Sequence, residues 1–134
     1  MPPDDVVAGY ADVVEAAEAV HHGLGGATAA GFSEACFQAA LSCELVGSQR
    51  EVVRPVVYSC KASGARTVVG MVRFDVIYGP CVVEIKSYRT KRKGTLPPPL
   101  KAQLAAYRAV LAPSEILVVV LFWKNTVDVF QYIG

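Results

Sequence analysis

The stretch Gly70–Lys86, GMVRFDVIYGPCVVEIK, limits what this chain can fold into more than any other. Two runs rich in β-branched residues flank Gly79-Pro80, the pattern of a β-hairpin. Side chains alternate faces along a strand, so Glu84 and Lys86, two apart, project together. Asp75 lies opposite them if the hairpin register allows. Two carboxylates and an ammonium then share one side of a small sheet. Such a cluster is costly in an apolar chain unless something uses it.

The chain around it has 134 residues and is 53% hydrophobic, which suits one domain, 1–134, with one core. No apolar run reaches the roughly 18 residues that would suggest a membrane span, so no membrane partner is expected. The excess apolar content points to core and to an oligomer seam; a homodimer is expected, through the last strand or an edge near Pro55. Met1-Pro2-Pro3-Asp4-Asp5 lacks the basic-then-apolar order of a secretory signal, so an intracellular location, cytoplasm or nucleus, is expected. With a net charge of +1, any basic footprint must be local. Cys36, Cys43, Cys60 and Cys81 form no C-x-x-C pair, which argues against a zinc or iron–sulfur site. They are expected to be reduced and mostly buried thiols.

Apolar spacing predicts a helix over Asp4–His22, with Val6, Val7, Tyr10, Val13, Val14, Ala17 and Val20 in step and Asp4 or Asp5 as cap. Gly23, Gly25 and Gly26 end it. A second helix, Phe32–Val46, would bury Phe32, Ala35, Cys36, Ala39, Ala40 and Cys43. Glu34 near its start suits the helix dipole as well as it suits a site. Glu51–Tyr58 reads as a strand in which Pro55 marks an edge or bulge. The hairpin strands Thr67–Tyr78 and Cys81–Ser87 follow. Tyr88–Lys93 then carries four cations, and Pro97-Pro98-Pro99 makes a stiff exit. Leu100–Leu111 is a third helix. The continuous apolar run Ile116–Phe122 suits a strand covered on both faces, and Val127–Ile133 is the last strand. The order predicts a central mixed sheet flanked by helices, α/β or α+β.

Asp75, Glu84 and Lys86 on one sheet face suit metal-assisted phosphodiester hydrolysis. Hard cations such as Mg²⁺ take oxygen ligands and keep several waters. A neighbouring ammonium can orient water and stabilise phosphorane charge. The alternative is a surface salt-bridge cluster on a hairpin.

The order of five segments goes further. Val20-His21-His22-Gly23-Leu24-Gly25, Gly31-Phe32-Ser33-Glu34-Ala35-Cys36-Phe37, Arg73-Phe74-Asp75, Glu84-Ile85-Lys86 and Gln103-Leu104-Ala105-Ala106-Tyr107 follow one another in the chain. Together they resemble the PD-(D/E)XK nuclease superfamily and, more narrowly, its small GxxExxY proteins, over roughly residues 12–134. The resemblance implies a restriction-endonuclease-like core, α-α-β-β-β-α-β-β, and a Mg²⁺-dependent deoxyribonuclease in which Mn²⁺ can substitute. It implies that Asp75, Glu84 and the Ile85 carbonyl bind metal, with Glu34 reaching it directly or through water. Lys86 would act on the attacking water, and Gln103 and Tyr107 would support the site or contact phosphate. Three features depart from the family pattern: Phe37 replaces a tyrosine, 27–30 looks inserted, and Phe74 stands where the superfamily's name has proline.

Arg89, Lys91, Arg92 and Lys93 follow the Glu84-x-Lys86 strand directly, so they emerge beside the site and phosphates would meet cations there; Arg73 is a further candidate nucleic-acid contact. A solvated loop or a localisation signal explains the run Arg89–Lys93 equally well. DNA is the expected substrate by analogy alone, with RNA left open. The rival reading is a catalytically inactive nucleic-acid-binding or protein-interaction module on the same fold.

Overall fold

The computed structural model describes residues 3–26, 31–88 and 96–134. The 27–30 segment and the cations Arg89, Lys91, Arg92 and Lys93 lie outside the described residues. The elements run α1 (Asp4–Gly23), α2 (Glu34–Glu44), β1 (Gln49–Ser59), β2 (Arg66–Tyr78), β3 (Cys81–Ser87), α3 (Pro98–Val110), β4 (Ile116–Phe122) and β5 (Val127–Tyr132). The strands form one five-stranded mixed sheet in the order β1-β2-β3-β4-β5. β3 and β4 are parallel; the other neighbours are antiparallel. The parallel pair needs a crossover, and α3 supplies it.

The sheet is covered on both faces. Val13, Ala17 and Val20 of α1 and Phe37 and Leu41 of α2 pack with Val83, Ile85, Val118 and Val120 on one side. Leu100 and Leu104 of α3 pack with Phe74, Val82, Leu117, Val119 and Leu121 on the other. β4 is therefore buried on both faces, as its unbroken apolar run predicts. Gly9 lets α1 approach the sheet closely: a Cβ there would meet Cys81 Sγ at 2.9 Å.

Several local expectations need correcting. Pro3, not Asp4 or Asp5, stands at the N-cap of α1 without a side-chain cap; Asp5 Oδ1 instead accepts the Val6 N–H at 3.0 Å. Val7 is exposed. Helix α2 starts at Glu34 and turns a different face inward. Phe37 and Leu41 are buried there, whereas Phe32, Ala35, Cys36, Ala39 and Cys43 are exposed and Ala40 is half-buried. The larger side chains take the core because they bury more apolar area per position; Phe37 stacks on Phe122 with centroids 4.5 Å apart. All four cysteines are free thiols, but only Cys81 is buried. Pro98 and Pro99 open α3 rather than forming a spacer before it. The first turn of a helix has no partner for those N–H groups, so proline costs nothing there.

β2 changes character along its length. Val72 and Phe74 pack on the α3 side, yet Val76 and Tyr78 pack on the α1–α2 side and Ile77 on the α3 side. In a regular strand positions 72, 74, 76 and 78 would share a face. The alternation therefore slips by one at Asp75. Register partners Arg50↔Val76 and Val52↔Phe74 put Glu51 across from it, and Glu51 has φ of 52°, in the left-handed region non-glycine residues rarely adopt.

Candidate functional site

The slip at Asp75 coincides with a fork in the sheet. β2 and β3 pair at Tyr78↔Cys81, Ile77↔Val82 and Val76↔Val83, closed by a turn in which Gly79 has φ of 54°. Beyond Val76 the main-chain pairing stops. Asp75 Oδ2 instead accepts the Ile85 N–H at 2.8 Å. The carboxylate thus takes the place of a backbone acceptor where the strands part. β3 runs on beside β4, with Glu84↔Val119, Ile85↔Val120 and Lys86↔Leu121 in register.

The alternation of β3 sends Ile85 into the α1–α2 core and Glu84 and Lys86 to the other face. Glu84 is 2% exposed, and its Oε2 has no hydrogen-bond partner. Lys86 Nζ lies 3.7 Å from Glu84 Oε1 and 4.0 Å from Glu34 Oε2. Glu34 Oε1 accepts the Ser87 N–H at 3.2 Å. This ties the start of α2 to the end of β3.

Burial, and then the charge of Asp75, pushes the Glu84 carboxyl up to about 8. Asp75 moves up as well, chiefly through burial, against the Ile85 N–H and Lys86, which hold it down. Both carboxyls of the pair therefore hold a proton more readily than an ordinary carboxylate does. Burial lowers Lys86, but Glu34, Glu84 and Asp75 together outweigh it, so its ammonium is held above the usual lysine value.

Helix α3 closes the site from the other side. Gln103 Nε2 donates to the Tyr107 hydroxyl oxygen at 2.9 Å. Tyr107 packs edge-on against Phe74, centroids 5.0 Å apart. Burial and then the Glu84 charge raise its phenol above the ordinary value. Phe74 is held in turn by Arg54, 5.5 Å above its ring, and Arg54 makes two 2.7 Å hydrogen bonds to Glu115 at the entry to β4.

The structure thus brings Asp75, Glu84, Lys86, Glu34 and Tyr107 into one electrostatic cluster, with Gln103 beside them and the Ile85 backbone at its centre. Arg73 stays outside it, exposed on β2 opposite Val53. Phe37 lies in the core against Phe122, where a tyrosine hydroxyl would need a partner. The sequence pattern did not single out the stacked pair Tyr88 and Trp123, centroids 5.2 Å apart. Tyr88 and Lys86 line a cleft with Pro97, Leu100 and Gln103; Tyr88 and Trp123 line another with Phe32, Ser33 and Glu34. The only available signal was position: both aromatics follow the C-terminal ends of parallel neighbours β3 and β4.

Among the described residues no three His, Cys, Asp or Glu side chains converge as a ready metal cage. Glu34 is turned towards Ser87 and Lys86. The Asp75–Glu84 pair still has the donor chemistry of a hard-cation site: burial strengthens each carboxyl's hold on its proton, and one buried oxygen lacks a partner. No protein-family model, curated protein or solved structure matches the chain, so the functional reading rests on this geometry.

Proposed function

We propose that the protein is a metal-dependent nuclease that hydrolyses DNA phosphodiester bonds, built on a restriction-endonuclease-like core. The observation that carries the reading is Glu84, whose Oε2 is buried and without a partner while its Oε1 lies 3.7 Å from the Lys86 ammonium. Each buried polar atom left unpaired costs about 1–3 kcal/mol. A cation bound between the two carboxylates would remove that cost and displace the proton that burial favours on Glu84.

Asp75, Glu84 and the Ile85 main-chain oxygen would hold Mg²⁺, or Mn²⁺ in its place, with Glu34 contributing through water. When bound, such an ion supplies charge neutralisation and Lewis-acid activation at a phosphodiester. The chain's own groups do the rest. Lys86 is held charged by three carboxylates and can donate to a phosphate oxygen or orient the attacking water. Tyr107 receives a hydrogen bond from Gln103, which leaves its own O–H free to donate towards a phosphate oxygen. The Ser87 N–H holds Glu34 at the end of β3, and the Ile85 N–H holds Asp75 across the fork. A homodimer and an intracellular location accompany this reading; β1 and β5 are the two sheet edges available to a second copy.

The test is cleavage of a panel of DNA and RNA substrates with Mg²⁺, Mn²⁺ or chelator. Metal-dependent DNA cleavage that Asp75→Asn abolishes, in a variant that melts like the native protein, is the expected result. Wild-type activity in Asp75→Asn would remove the assignment. Salt-sensitive binding without any cleavage would make the chain a binding module instead.

A further inference from the structure

Beyond Phe74, β2 has no neighbour but β1 among the described residues, because its pairing with β3 ends at Val76. The outer parts of β1 and β2 form a two-stranded ribbon. Every residue from Val57 to Met71 is exposed except half-buried Cys60. A bare ribbon of this kind is at best marginally stable in water, and here it carries Val57, Tyr58, Val68, Val69 and Met71 at 41–62% exposure.

Its charge is one-sided. Between Val52 and Phe74 there is no Asp or Glu, but there are Arg54, Lys61, Arg66 and Arg73. Arg54 is spent on Glu115; Lys61, Arg66 and Arg73 have no ion-pair partner among the described residues. Cross-strand partners share a face, so the pairs Val53↔Arg73, Pro55↔Met71, Val57↔Val68 and Ser59↔Arg66 define one surface of alternating apolar and cationic groups. The surface begins at Arg73, two residues from Asp75 and on the sheet face away from Phe74. Arg66 lies nine residues from Asp75 along β2, about 30 Å at ~3.3 Å per residue. That approaches one turn of B-form DNA, about 34 Å.

We propose that the β1–β2 ribbon is a DNA-binding arm that lies in the major groove of a duplex whose backbone enters the Asp75–Glu84 site. The path of the duplex backbone into the site rests on the nuclease reading, and the substrate is double-stranded DNA. The major groove of B-form DNA admits a two-stranded ribbon, whereas the deep, narrow major groove of an A-form RNA duplex does not. Arg66, Arg73 and Lys61 meet phosphates; Val57, Val68 and Met71 meet base edges and thymine methyl groups. Charge selects this occupant over a second copy of the chain. Two-fold packing of the same face would bring two sets of cations together with no carboxylate between Val52 and Phe74 to offset them, and like charges across an interface are repulsive.

The test measures affinity of the full chain in chelator, so that no strand is cut, for a 20-base-pair DNA duplex, an RNA duplex and a single strand across a salt series. The native protein is expected to prefer the DNA duplex. Lys61→Ser/Arg66→Ser/Arg73→Ser is expected to lower the log–log salt slope by about 0.9 for each phosphate that the variant leaves unneutralised. Val57→Ser/Val68→Ser/Met71→Ser is expected to weaken DNA-duplex binding at an unchanged slope. All six positions are exposed, and matching melting curves show that the fold survives. Equal affinity for DNA and RNA duplexes, or affinity and slope unmoved in both variants, overturns the arm. So does a shift from dimer to monomer in sedimentation at unaltered DNA affinity, which would assign the face to a second copy. Native protein that cuts no DNA with metal, yet loses duplex affinity in both variants, ends the nuclease reading and leaves the arm standing.

Discussion

The two halves of β2 are alike in sequence and unlike in structure. Val68-Val69-Gly70-Met71 and Val76-Ile77-Tyr78 are both apolar, β-branched and free of charge. The first is wholly exposed; in the second Val76 is fully buried and Ile77 and Tyr78 are half-buried. Propensity cannot distinguish them, because the same residues favour a strand in either place. The difference is the third strand. Where β3 pairs with β2, helices pack on both sides; beyond Val72, no described element covers the ribbon. Asp75 marks the boundary. Its carboxylate ends the main-chain pairing by taking the Ile85 N–H, so one residue both stops the covered sheet and opens the site.

The sharpest way to break this comparison is at Lys86, on the covered side. Lys86→Met should leave metal binding by Asp75 and Glu84 nearly intact, since the ammonium is no ligand. Turnover should fall on the order of 10²–10⁴-fold, as for other positioned acid–base groups. Calorimetric metal affinity beside single-turnover cleavage checks it. A parallel loss in both would make Lys86 structural.

The two halves of the strand can then be compared directly by truncation. Phe74 is fully buried at the boundary and carries Tyr107 and Arg54 on its ring. Phe74→Ala should cost about 3–5 kcal/mol in urea unfolding. Met71, three residues away and 60% exposed, should cost no more than about 0.5 kcal/mol when changed to Ala. Similar costs at the two positions would mean that something covers the ribbon in solution.

A smaller effect sharpens the account of the site itself. The Glu84 carboxyl stands near 8 in the folded chain against about 4.5 ordinarily, so the folded state binds its proton more tightly. That contribution to stability is fully present below about pH 4.5 and is lost as pH rises through about 8. The metal-free melting temperature should therefore fall as pH rises from 5 to 9. Mg²⁺ should raise it more at pH 8 than at pH 6, because ion and proton compete for the same oxygens. Glu84→Gln should flatten both trends. A metal-free melting temperature that already ignores pH in the native chain would mean that burial does not hold a proton on Glu84.

Much of the fold was legible because it is local. Helices at 3.6-residue spacing, the β-branched runs and the Gly79-Pro80 turn placed the eight elements in order. Pro55 announced irregularity near it, and the β1–β2 register shifts between Val56 and Val57. The errors were local too, but they arose where a non-local term chose between equal options. In α2, both Cys36 with Cys43 and Phe37 with Leu41 lie at helical spacing. Phe122 across the sheet selected the second pair.

Composition and periodicity determined that this chain makes a mixed sheet with helices, and that Glu84 and Lys86 share a face of β3. Alternation along a strand is a property of neighbouring peptide units and needs no partner. Only the tertiary structure decided that Asp75 meets the Ile85 N–H, that Glu84 is buried with one oxygen unpaired, and that the outer half of β2 is exposed. Those outcomes depend on where β3 leaves β2 and which surfaces α2 and α3 cover. Burial sums over residues far apart in the chain, and no short stretch of sequence contains that sum.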